Sequence, residues 1–119
     1  MDRNKEFWQY LDRLVAEKPV VIDRPRGSSH PRYPDMIYPL DYGYLEGTQA
    51  IDGGGIDVWR GAFWAEQANR VSGILCSVDL IKGDAEIKIL LGCTPQETEM
   101  ILEFMNGNSM RAIYIQRGP

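Results

Sequence analysis

Three consecutive glycines, Gly53 to Gly55, stand between Asp52 and Asp57 in the stretch Tyr38-Pro-Leu-Asp-Tyr-Gly-Tyr-Leu-Glu-Gly-Thr-Gln-Ala-Ile-Asp-Gly-Gly-Gly-Ile-Asp-Val58. Glycine reaches φ > 0 without strain, so the run lets the backbone turn tightly there. Carboxylates at the two ends of such a turn can converge on one hard cation, which takes oxygen ligands. The same run also reads as an ordinary hairpin or strand-entry turn with exposed aspartates. The rest of the chain adds weight to the first reading.

At 119 residues the chain has the length of one domain, residues 1–119, built on a single core. A net charge of −4 argues against a nucleic-acid partner, whose phosphates need a basic face. It leaves room for a small anionic substrate met by a local cluster of cations. No apolar run approaches the length of a membrane span, and the opening Met-Asp-Arg-Asn-Lys-Glu is unlike a signal peptide, so no membrane role is expected. Cys76 and Cys93 have no metal-binding spacing and lie on apolar segments. They read as reduced core thiols, from which a cytoplasmic location follows.

Phe7, Leu11, Leu14 and Val15 recur at helical spacing, so residues 4–17 read as a helix ended by Lys18-Pro19. Val20-Val21-Ile22 reads as a strand. Residues 24–35 hold three prolines and three arginines and read as a basic loop without regular structure. Residues 56–63, 71–80 and 85–91 read as strands, the last two joined by a Lys82-Gly83-Asp84 turn. Thr94-Pro95-Gln96-Glu97 predicts a helix start: Thr94 caps, Pro95 takes the first helical position and Glu97 completes a capping box. That helix runs to about Asn106, packs Ile101, Phe104 and Met105, and stops at Gly107. Residues 110–117 form a last strand. The pattern is α+β, a small antiparallel sheet or barrel with an N-terminal and a C-terminal flanking helix. Trp8, Trp59 and Trp64 read as core or interface residues.

Charges fall on these strands. Glu86 and Lys88 share a face, which suits either a solvated surface or a site. Paired across the hairpin, Asp79 and Glu86 are expected close together, and two carboxylates that close repel unless a cation neutralises them. Asp52, Asp57, Asp79 and Glu86 supply four acids; Arg24, Arg26, Arg32 and Lys88 supply four cations. Carboxylates can hold Mg²⁺, which holds phosphate oxygens, while the cations take the remaining charge. Such a mixed site is the composition expected for hydrolysing a phosphoanhydride. His30 reads as an exposed loop histidine, with a phosphate contact as the alternative.

In three ordered blocks the chain resembles the family I (soluble) inorganic pyrophosphatases. Val20 to Pro25 is similar to the family's opening strand, which ends in an acid and a proline. Tyr38-Pro39-Leu40-Asp41-Tyr42-Gly43 resembles its Tyr-Pro-x-Asn-Tyr-Gly segment. Asp52 to Val58 resembles its signature Asp-Gly-Asp-Pro-x-Asp-Val. Beyond these three blocks, Gly73 to Lys88 resembles the acidic hairpin that follows in the family. The resemblance implies a five-stranded OB-like antiparallel β-barrel with flanking helices, usually oligomeric. It also implies hydrolysis of pyrophosphate with Mg²⁺, Mn²⁺ being the alternative. Asp52, Asp57 and Glu86 would bind the primary metals, Asp79 would assist a further one, and Asp23 would act through water. Tyr42, Arg32 and Lys88 would contact the phosphates, and Asp57, Lys88 and Tyr42 carry the chemistry.

The chain departs from the family at Gly54, where the family has the aspartate that deprotonates the attacking water. Gly55 replaces the next proline, the hairpin before Tyr38 with its phosphate-binding arginine is missing, and no Tyr-Lys pair ends the last helix. Arg24 and Arg26 are candidates to replace the lost arginine. Asp41 is a candidate acid, though it reads better as a turn cap. Two alternatives to the pyrophosphatase therefore stand: a phosphohydrolase with another phosphorylated substrate, and a non-catalytic phosphate- or metal-binding member of the fold.

Overall fold

A computed structural model describes residues 2–50, 53–66 and 70–118. Helix α1 (Arg3–Glu17) is capped by Asp2, whose side chain accepts from the Lys5 N–H at 3.1 Å. The strands follow as β1 (Val20–Arg24), β2 (Asp41–Leu45), β3 (Ile56–Arg60), β4 (Val71–Asp79) and β5 (Asp84–Leu91). Helix α2 (Pro95–Met105) and strand β6 (Met110–Gln116) end the chain. The capping box at Thr94 and Glu97 forms as expected. No helix among the described residues is long and apolar enough to cross a membrane.

Strand order is β1-β2-β3-β5-β4-β6 in one six-stranded sheet. Neighbours pair antiparallel except β3 and β5, which run parallel. This corrects the expected five-stranded antiparallel barrel. Strand β6 lies along the outer edge of β4 from Gly73–Gln116 to Asp79–Met110, the edge through which β4 and β1 would have to close. With that edge filled, β1 and β6 are the two rims of an open sheet.

Period-2 alternation gives the sheet an apolar cluster on each face. On one, Trp8 and Val15 of α1 pack with Leu45, Val58, Val71, Ile74, Ile89 and Leu91. The expected Phe7 is 43% exposed, because the inward stripe runs through Trp8, Leu11 and Val15 instead, an equally good helical spacing. On the other face, Ile101 and Met105 of α2 pack with Tyr38, Leu40, Trp59, Leu75 and Leu90. Strand β2 was hidden from a reading by propensity because Asp41-Tyr-Gly-Tyr carries a glycine in its middle. The fold demands that glycine. A Cβ on Gly43 would sit 1.8 Å from the Val21 carbonyl oxygen of β1, inside any allowed contact.

The proline-rich loop is more regular than expected. Gly27 donates to the Tyr38 carbonyl, Tyr38 to that of Ser28 and His30 to that of Met36, at 2.8–2.9 Å, and Ser29 bridges Ile37. Pro25, Pro31 and Pro34 occupy positions whose N–H the ribbon does not use, so they do not prevent it. A short ribbon thus stands where the hairpin before Tyr38 was expected to be missing. The β4–β5 register also differs: Asp79 faces Asp84, and Glu86 faces Ser77. The turn spans residues 80–83, closed by Gly83 N–H to the Asp79 carbonyl at 2.8 Å with Gly83 at φ 69°. A slip of two residues leaves every side chain on its expected face.

Candidate active site

A cleft of about 790 Å³ opens over the α2 side of the sheet. Strand alternation delivers its walls: Tyr42 and Tyr44 from β2, Asp57 and Trp59 from β3, Asp84, Glu86 and Lys88 from β5. Asp23 and Arg24 are adjacent in sequence, yet both line the cleft, because the β1–β2 register shifts between Ile22 and Arg24. Such a bulge re-aims one side chain onto its neighbour's face.

Lys88 is the centre of the cluster. Its ammonium donates to Asp57 Oδ2 at 2.6 Å, Glu86 Oε2 at 2.9 Å and Tyr42 Oη at 3.0 Å. Tyr42 in turn donates to Asp57 Oδ2 at 2.7 Å. The Lys88 side chain is 7% exposed, Glu86 11% and Asp57 28%, so the group is nearly dry and opens toward water at Asp57. Burial alone would lower the lysine pKa, but Tyr42 and Asp57 outweigh it and hold it above the ordinary lysine value. Burial pushes the Tyr42 phenol above its usual value, with Lys88 opposing and Asp57 adding. At neutral pH Lys88 is therefore a fixed cation and Tyr42 a fixed donor.

The other expected residues divide. Asp79 lines the cleft, but its Oδ1 accepts from the Ser109 hydroxyl at 2.9 Å and from the Ile81 and Lys82 N–H groups at 3.0 and 3.1 Å. The Lys82 N–H and Ser109 bonds hold it below the usual carboxylate value. Arg24 lines the cleft and donates to Tyr38 Oη at 2.5 Å; Arg32 lines it from the ribbon. Arg26 is not brought to the cleft. It is exposed, and its backbone N–H donates to Asp41 Oδ1 at 2.9 Å. Asp41 also pairs with Arg60 at 3.0 Å, its partner across the β2–β3 register, so it serves as a cross-strand ion-pair acid and not as the local turn cap expected from its sequence position. Asp52 lies outside the described residues. Gly54 accepts the Ala50 N–H at 2.7 Å across its loop and brings no acid.

Residues that sequence reasoning missed also line the cleft. Asp84 has the same strand parity as Glu86 and Lys88, a signal that was available. Lys82, at the hairpin tip, and Ser109, between α2 and β6, carried none. Among the described residues no three His, Cys, Asp or Glu side chains gather to hold a metal ion.

No family model matches the chain, and no curated protein matches it. Solved structures do. An inorganic pyrophosphatase of Coxiella burnetii is 15% identical over 82% of this chain and 84% of that one, with a TM-score of 0.58. One of Neisseria gonorrhoeae is 19% identical over 77% of each chain, with a TM-score of 0.57. One of Thermus thermophilus is 21% identical over 82% of this chain and 81% of that one, with a TM-score of 0.52. At such identities the likeness is one of architecture: this chain has the fold of the bacterial inorganic pyrophosphatases.

Proposed function

We propose that residues 1–119 form one domain, a short and divergent family I inorganic pyrophosphatase that hydrolyses pyrophosphate to two phosphates in the cytoplasm, as a homo-oligomer. The observation that carries this reading is Lys88 held at 2.6 and 2.9 Å from Asp57 and Glu86 on the wall of a cleft that Arg24 and Arg32 also line. Mg²⁺ is commonly held by one or two carboxylates together with substrate phosphates. Asp57 Oδ1 and Glu86 Oε1 accept no hydrogen bond among the described residues, and as hard oxygens they fit such a shared ion. Asp23, Asp79 and Asp52 would complete its surroundings, and Mn²⁺ would suit the same donors. Bound metal supplies Lewis-acid activation of water and offsets phosphoryl charge.

The chain's own groups have separate tasks. Tyr42 and Lys88 fix the Asp57 carboxylate through Oδ2. Lys88, Arg24 and Arg32 offset negative charge on the substrate. Tyr42 is held protonated by burial and cannot take a proton from water. With glycine at position 54, a general base worth about 10²–10⁴-fold in rate is absent there. Turnover well below that of an enzyme with an acid at this position follows.

The test is phosphate release from pyrophosphate with and without Mg²⁺, beside Asp57→Asn. Metal-dependent release that the variant loses supports the reading. No release, with pyrophosphate or Mg²⁺ still bound, would leave the non-catalytic alternative. Release from nucleotides or sugar phosphates in preference to pyrophosphate would favour the other phosphohydrolase.

A further inference from the structure

The cleft has a second wall that the Lys88 cluster does not use. Arg24 from β1, Arg32 from the ribbon tip and Lys82 from the β4–β5 turn all line it, and none has a carboxylate within ion-pair distance among the described residues. His30 stands with them. Its Nδ1 accepts the backbone N–H groups of Arg32 at 3.0 Å and Tyr33 at 3.2 Å. A neutral imidazole has one acceptor and one donor nitrogen, so these two donors place its proton on Nε2. Nε2 itself has no partner among the described residues. The ring is kept in place by Tyr33 and Tyr38, with centroids 5.2 and 6.1 Å away.

Given the reading of this cleft as a pyrophosphate site, we infer that His30 Nε2–H is a substrate-binding donor which, with Arg24, Arg32 and Lys82, holds the phosphoryl group farther from Lys88. Burial and the three nearby cations hold the His30 pKa below its ordinary value, so the ring is neutral near pH 7. A neutral N–H suits a crowded cationic wall, since it donates a hydrogen bond without adding a like charge. The wall also supplies cations in a chain that departs from the resembled family by lacking a phosphate-binding arginine before Tyr38 and a Tyr-Lys pair at the end of the last helix.

His30 is the single histidine of the chain, so its imidazole signals are unambiguous in a nitrogen–proton spectrum. In the free protein at pH 7.5, Nε2 is expected to carry the proton. Pyrophosphate without metal should shift the His30 signals saturably, and Lys82→Ala should weaken that response roughly tenfold, about the worth of one contact to a charged group. His30→Asn keeps an acceptor for the two loop amides and lacks the Nε2 donor. It should raise KM about tenfold with kcat changed less than about twofold, while His30→Gln recovers part of the loss. A proton on Nδ1, or His30 signals that saturating pyrophosphate leaves unmoved, would overturn the inference even if the protein hydrolyses pyrophosphate. Signals that shift in a protein without turnover would keep the anion wall and sink the hydrolase reading alone.

Discussion

Replacing Lys88 by methionine tests whether the cluster is dry and held by one cation. The change removes three hydrogen bonds of 2.6, 2.9 and 3.0 Å from an ammonium that is 7% exposed. It leaves Asp57 and Glu86 on one wall with no cation between them. Removing one partner of a buried ion pair costs about 3–5 kcal/mol, and the partial exposure of Asp57 favours the lower end. With a urea slope of about 1–3 kcal/mol/M, the midpoint should fall by about 1–3 M. Adding Glu86→Gln to the variant removes one stranded carboxylate and should restore part of the loss. The raised lysine pKa fixes the pH dependence. Its contribution is fully present below the unfolded lysine value of about 10.4 and is lost only as pH rises through the higher folded value. The deficit of Lys88→Met should therefore be flat from about pH 6 to about pH 9. A loss below about 1 kcal/mol, or a double variant no more stable than the single one, would refute the buried-cation reasoning.

Gly43→Ala should cost about 2 kcal/mol or more, since its Cβ meets the Val21 carbonyl oxygen at 1.8 Å and neither backbone can yield alone; an unchanged urea midpoint would contradict the close β1–β2 approach. Stability should also fall in acid. Burial opposes the Asp12 carboxylate, but Arg117, at 2.8 Å through both nitrogens, outweighs it, and the Arg26 N–H and Arg60 do the same for Asp41. Both folded values lie below the unfolded one of about 3.9, so their stabilisation is complete above it and lost as pH falls through the lower values. Arg117→Met should flatten that acid loss and cost about 1.5–3 kcal/mol at neutral pH, read by thermal unfolding across the pH range.

Local features were legible because their causes lie within a few residues. The Thr94–Glu97 capping box, the inward Leu11, Leu14 and Val15 of α1 and the parity of Glu86 and Lys88 each follow from covalent geometry along one element. The three blocks that resemble pyrophosphatases pointed to the right fold. They did not give the strand count, since β2 has poor strand propensity and is stabilised by pairing on both sides.

Sequence alone thus determined which residues carry charge and which face of each strand they share. Tertiary structure decided which of them meet. Lys88 reaches Asp57 across 31 positions and Tyr42 across 46, contacts made by the parallel β3–β5 pairing and the β2–β3 register. The same long-range packing turned Asp79 into a turn cap, drew Asp41 to Arg60 and set His30 among three cations. Long-range pairing is chosen by the core as a whole, so no short stretch of this chain contains it.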